Sequence, residues 1–220
     1  MIKSVIFDFD GLICDTETPE LEAWKSIFNE HELPFPIDEY LQTIGSIYND
    51  LSPLVHLEKM TGNHVDINGI LSEFKSRKKR LIDLEPLMPC VQNYLDHAKT
   101  IGLKIGLASS SPIEWIDYHL DRLHIADFFD CITTASDVQK TKPDPELYEK
   151  TVKLLNNSPD EVLALEDAPN GVTAARQAGI FVVAVPNPVT ARFNFDNAHI
   201  VISSLCEITL DDLIERIKNH

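Results

Sequence analysis

The run from Ser4 to Phe7 is short, apolar and β-branched, and it stops abruptly at Asp8, Asp10 and Gly11. Such a run reads as a buried strand. A strand that ends in carboxylates places charge at its carboxyl end, which is where open α/β sheets bind ligands. Asp8 and Asp10 are next-but-one neighbours, so in an extended segment their side chains share one face. Gly11 lets the chain turn and lets backbone N–H groups approach an anion. Two carboxylates on one face repel each other. They coexist when a hard cation sits between them or when one holds a proton. An acidic turn capping a helix would use the same residues, so the rest of the chain has to decide.

Two textures follow the opening strand. Glu20 to Glu32 has Leu21, Trp24, Ile27 and Phe28 at helical spacing, with start signals around Pro19. Further helical pattern covers 38–44, 50–60 and 67–84, and nothing there resembles a buried strand. From about residue 90 apolar runs alternate with helical pattern. Strands are expected at 103–108, 129–134, 161–165, 180–185 and 199–202. Helices are expected at 91–100, around Trp115 to Leu123, at 145–155, 172–178 and 210–217. Near-continuous apolar runs alternating with helices imply parallel strands covered on both faces. The fold class is therefore α/β, a doubly wound parallel sheet whose first strand is separated from the others by a small helical insertion. The expected division is a core of residues 1–15 and 84–220 and a helical domain of residues 16–83.

Each polar cluster follows a strand. Asp8 and Asp10 follow the first, Ser109 the second, and Glu166 and Asp167 the fourth, while Lys142 lies beyond the third. In a doubly wound sheet these ends converge on one crevice. Carboxylates without His or Cys suit Mg²⁺ better than zinc. Ser109 and the N–H groups behind it can hold a phosphate-like anion, and Lys142 can neutralise further charge. Such a set fits phosphoryl transfer, which needs positioning and charge neutralisation.

The order of motifs resembles that of haloacid dehalogenase superfamily phosphatases, in the branch containing β-phosphoglucomutase and phosphoglycolate phosphatase. The matching segments are Asp8-Phe-Asp-Gly-Leu-Ile-Cys-Asp-Thr, Ala108-Ser-Ser-Ser, Thr141-Lys-Pro-Asp-Pro and Leu165-Glu-Asp-Ala-Pro-Asn-Gly. The resemblance spans essentially the whole chain and makes residues 16–83 a cap. It implies that Asp8 attacks phosphorus and becomes an aspartyl phosphate. It implies that Asp10 protonates the leaving oxygen and then activates water. Asp8, Glu166, Asp167 and the carbonyl of Asp10 would hold Mg²⁺, Ser109 and Lys142 would bind the phosphoryl group, and Asn170 and Gly171 would shape the adjacent loop. The implied activity is hydrolysis of small phosphomonoesters, sugar phosphates or related metabolites.

Plainer roles compete at several positions. Ser109 could cap a helix, Lys142 could be a solvated loop charge, and Glu166 could stand beside a cation without binding it. Ser110 and Ser111 read as caps or loop donors, and the His residues as surface or core. Trp24 and Trp115 read as core. The basic run from Lys75 to Arg80 reads as a solvated helix face, with a minority alternative in which one member reaches substrate.

The sequence also departs from the mutases of that branch. They carry a histidine early in the cap and an arginine in a later cap loop. Here Glu20 stands near the first place and Gly45-Ser-Ile-Tyr-Asn near the second, which favours net hydrolysis over mutase chemistry. Cys90 stands where the hinge often has glycine. A non-catalytic phospho-acceptor of the receiver type is a third alternative, opposed by Asp10 and by the helical insertion.

A formal charge of −16 disfavours nucleic acid and anionic membranes as partners. No obligate protein partner is implied. Cys14, Cys90, Cys131 and Cys206 are widely spaced and read as buried thiols of a reducing compartment. No signal peptide is read, because charge interrupts the first apolar run, and no run is long enough to span a membrane. The expected location is the cytoplasm.

Overall fold

Strand β1 (Ser4–Phe7) is buried along its whole length. The structure, a computed structural model, describes residues 1–41, 52–62 and 65–218. The Gly45 to Asn49 segment, and the ends of two expected helices beside it, lie outside the described residues. Two compact units are present, Met1–Cys14 with Pro86–His220, and Asp15–Glu85.

In the first unit β1 is joined by β2 (Lys104–Ala108), β3 (Cys131–Thr133), β4 (Val162–Glu166), β5 (Phe181–Ala184) and β6 (Ile200–Val201). The sheet order is β3-β2-β1-β4-β5-β6, and every pairing is parallel. Val5 lies level with Ile105 on one side and Leu163 on the other. The chain therefore winds outward through β2 and β3, then returns to place β4 against β1. The direction of winding reverses between β1 and β4, the place at which open α/β sheets bind ligands.

The second unit holds α1 (Glu17–Glu30), α2 (Ile37–Leu41), α3 (Ser52–Thr61) and α4 (Ile67–Ile82). Helices α5 (Val91–Thr100), α6 (Ile113–Arg122), α7 (Glu146–Leu155), α8 (Pro169–Gln177) and α9 (Leu210–Lys218) belong to the first. The sheet's packing against α7 depends on small residues. Ile6, Ala108 and Ala164 share a cluster with Tyr148, Val152 and Leu155 of α7 and Val172 and Ala175 of α8. A Cβ on Gly106 would come within 2.8 Å of the Thr151 methyl. Glycine at this position allows α7 to sit directly on β2.

Two helix starts come earlier than periodicity suggests. In α1 the Thr18 N–H donates to Asp15 Oδ1 at 2.9 Å, which satisfies a first-turn donor before the apolar stripe begins. In α8 Pro169 occupies the first position, where its missing N–H costs nothing. Apolar spacing alone is silent about both.

The cysteine expectation is corrected. Cys90 and Cys206 form a disulfide that spans 116 residues of sequence. Only Cys14 is a buried thiol, and Cys131 is half-buried. The sequence hides this bond because its partners meet only when the start of α5 and the loop before α9 have packed. The pairing removes the thiol argument for a reducing compartment. Among the described residues no helix is long and apolar enough to cross a membrane.

Within the second unit Trp24 of α1 stacks on Phe74 of α4 at 4.1 Å. The basic run of α4 is largely engaged there. Arg77 pairs with Glu30 and Glu73 at 2.8 and 2.7 Å, Lys78 pairs with Glu20, and Lys79 with Asp83 at 2.6 Å.

Candidate active site

The loop after β1 is built to present carboxylates. The Asp8 N–H still donates to Leu165 of β4 at 3.1 Å, and the Phe9 carbonyl then accepts from Ile13 at 2.9 Å, closing a tight turn. Gly11 adopts φ +82°, and a Cβ there would overlap Asp167 Oδ2 and Asn187 Nδ2. Close approach of this loop to the β4 loop therefore requires glycine.

Asp8 is 6% exposed, Glu166 1% and Asp167 2%. An oxygen from each lies within 4.8 Å of the others. Lys142 closes the group. Its Nζ contacts Asp8 Oδ1 and lies 2.7 Å from Glu166 Oε1. It also donates to the Ala108 carbonyl at 2.8 Å. The loop carrying Lys142 is folded onto α7 by Glu146, whose carboxylate accepts the N–H groups of Gln139 and Lys140.

These four groups carry three carboxylates and one ammonium in a space nearly sealed from water. Burial is the main influence and pushes the Asp8 carboxyl up to about 8; Lys142 opposes that rise, and Glu166 and Asp10 add to it. Burial alone would lower Lys142, but Asp8 and Glu166 overcome it and hold the ammonium above the ordinary lysine value. The protein alone is short of positive charge here. An all-oxygen, buried, three-carboxylate donor set suits a hard divalent cation, so the residues fit Mg²⁺.

Asp10 faces elsewhere. Its Oδ1 accepts from the Trp115 indole N–H at 3.0 Å, and its Oδ2 accepts from the Ser111 hydroxyl at 2.7 Å and the Ser109 hydroxyl at 3.4 Å. Ser109 is buried, and its Oγ accepts the Ser111 N–H at 3.0 Å. It does not cap α6, which starts after Pro112. Trp115 is corrected from core to site, since it is half-buried and its N–H is spent on Asp10. Ser111 is a loop donor, as expected, but its acceptor is Asp10.

Sequence reasoning missed Tyr148 and Asn187 as well. The Tyr148 hydroxyl donates to Glu166 Oε1, and Asn187 Nδ2 donates to Asp167 Oδ2 at 2.8 Å. Tyr148 resembles an ordinary apolar position of α7, and Asn187 sits in a proline-flanked loop without a charge. Neither carries a signal at the level of spacing.

Gly171, in the first turn of α8, also faces the site. A Cβ on it would overlap the Glu166 carboxylate, which Lys142 and Tyr148 hold in place. Gly171→Ala is expected to lower stability by about 1–3 kcal/mol through overpacking. This outweighs the helix preference of Ala over Gly, about 1 kcal/mol. Urea unfolding measures it, and a variant as stable as the parent would show that Glu166 is free to move.

A six-stranded parallel sheet with a buried, acidic, lysine-closed cluster at the reversal of winding fits an α/β enzyme of the phosphoryl-transfer type. The profile of the haloacid dehalogenase-like hydrolases matches residues 5–185, and the chain belongs to that family. It is 40% identical over 220 residues, covering all of both chains, to a Bacillus subtilis (strain 168) protein named "Putative phosphatase YhcW". It is 32% identical to the "Phosphorylated carbohydrates phosphatase" of Thermotoga maritima, covering 81% of this chain and 82% of that one. Among solved structures, one titled "Crystal structure of putative beta-phosphoglucomutase from Thermotoga maritima" superposes with a TM-score of 0.80 at 28% identity. It covers 97% of this chain and 99% of that one.

Proposed function

We propose that the chain is a Mg²⁺-dependent phosphatase of small phosphomonoesters, sugar phosphates or related metabolites, working through an aspartyl phosphate. Membership of the family, together with relatives named as phosphatases, supports a hydrolase. The observation that carries the finer reading is the meeting of Asp8, Lys142, Glu166 and Asp167 at the ends of β1 and β4.

In this scheme an Asp8 carboxylate oxygen attacks phosphorus, the P–O bond to the leaving group breaks, and Asp10 gives that oxygen its proton. Asp10, now ionised, takes a proton from water as the water oxygen attacks the phosphoaspartate. Inorganic phosphate leaves and Asp8 is restored. Lys142 neutralises charge on the transferring group, and the Ser109 hydroxyl binds one of its oxygens. Asp8, Glu166, Asp167 and the Asp10 carbonyl would hold Mg²⁺, which supplies charge neutralisation at the phosphoryl oxygens. The unit Asp15–Glu85 would act as the cap that selects the leaving group.

Mutase chemistry is the second reading, and the likeness to a structure titled a β-phosphoglucomutase supports it. Glu20, near the place where mutases carry histidine, is instead tied to Lys78, which favours hydrolysis. A panel of phosphomonoesters assayed for phosphate release with Mg²⁺, and again with EDTA, tests both. Release that EDTA abolishes and that prefers certain sugar phosphates is expected. Isomerisation on addition of a sugar bisphosphate, without net release, would make the enzyme a mutase.

A further inference from the structure

Asn187 lies in the loop after β5, outside every motif described above, and is only 2% exposed. Every polar atom of its side chain is engaged. Its Oδ1 accepts the N–H groups of Val189 and Thr190 at 2.9 and 3.0 Å. Its backbone N–H donates to Thr190 Oγ1 at 3.0 Å. The amide is thus locked by its own loop, so the orientation of Nδ2 is set before any ligand arrives. That Nδ2 donates to Asp167 Oδ2 at 2.8 Å and reaches the Gly11 carbonyl at 3.4 Å. One side chain therefore ties the ends of β1, β4 and β5 together.

We infer that Asn187 is a positioning residue for the cation, holding the Asp167 carboxylate in one orientation towards it. The inference rests on the Mg²⁺ site proposed above. The two oxygens of a carboxylate are chemically equivalent and exchange places by rotation about its terminal torsion. Donation to Oδ2 restricts that rotation and so sets how the carboxylate faces the cation. Partners of this kind behind a metal ligand typically change metal affinity by about 10- to 100-fold when removed.

The test is Asn187→Ser, measured by calorimetric titration with MgCl₂ and by thermal unfolding in EDTA. Serine keeps a hydroxyl that can accept the Val189 N–H and hold the loop, adds no charge, and is too short to reach Asp167. The expected result is Mg²⁺ affinity lowered by about 10- to 100-fold, with the metal-free protein still folded. Unchanged affinity in a folded variant would overturn the inference. If Asn187→Ser does not fold, Asn187→Gln serves, since it keeps an amide but moves it by one methylene; full affinity there would be equally fatal. A parent protein that binds no Mg²⁺ would instead remove the metal site on which the inference stands.

Discussion

Asp8→Asn abolishes turnover while the chain stays folded. The substitution is nearly isosteric, but an amide cannot attack phosphorus as a carboxylate does. A fall of at least about 10⁴-fold in kcat is expected, the scale seen when a nucleophile is removed. Steady-state phosphate release, with circular dichroism to confirm folding, measures it. Activity near the parent's would exclude Asp8 as nucleophile.

The same variant has a stability signature of opposite sign. Burial, ahead of every other cause, raises the Asp8 carboxyl from 3.8 to about 8. A carboxyl raised by folding binds its proton more tightly folded than unfolded. Its favourable contribution is complete below about pH 4 and is lost as the pH climbs towards 8. The amide of the variant has no charge to bury. In EDTA, Asp8→Asn should therefore melt above the parent at about pH 8, and the gap should narrow towards about pH 5. A loss of both activity and thermal stability at about pH 8 would show that Asp8 is held mainly as the carboxylate partner of Lys142.

Lys142→Met should have the second largest effect. Methionine keeps the apolar stem and removes the ammonium that faces Asp8, Glu166 and the Ala108 carbonyl. Removing one partner of a buried ion pair costs about 3–5 kcal/mol. The cost in EDTA should be greatest at about pH 8 and smaller in acid, because Asp8 can take a proton where Lys142 no longer opposes it. Turnover should fall by about 10²–10³-fold, as when one charge-stabilising donor is lost. Urea unfolding across pH, beside the activity assay, measures both. A variant that is stable at about pH 8 in EDTA would mean that the carboxylates do not need this ammonium.

Much of this was legible in residues 1–220 as a string. Apolar runs and their helical partners placed the six strands to within a residue or two, because strands buried on both faces must be continuously apolar. Asp8, Glu166 and Asp167 stood out because charge directly after such a run is costly unless it is used, and Lys142 because it supplies the opposite charge. The strand order then required that they meet, and they do. Trp115 and Ser111 were harder. Helical spacing marks Trp115 as apolar, yet its one N–H reaches Asp10 across 105 residues of sequence. Spacing describes which side of a helix a residue occupies but not what stands opposite.

The α/β class, the helical insertion and the acidic and basic residues of the candidate site are legible in the sequence, since these follow from local periodicity and from charge at strand ends. Which side chains hold those residues in place follows from packing between distant segments. Asn187 on Asp167, Tyr148 on Glu166, Trp115 on Asp10 and the Cys90–Cys206 bond are all contacts between distant segments. Each depends on distances set by packing of the whole core, and a hydrogen bond or disulfide forms only when that packing brings two atoms within reach.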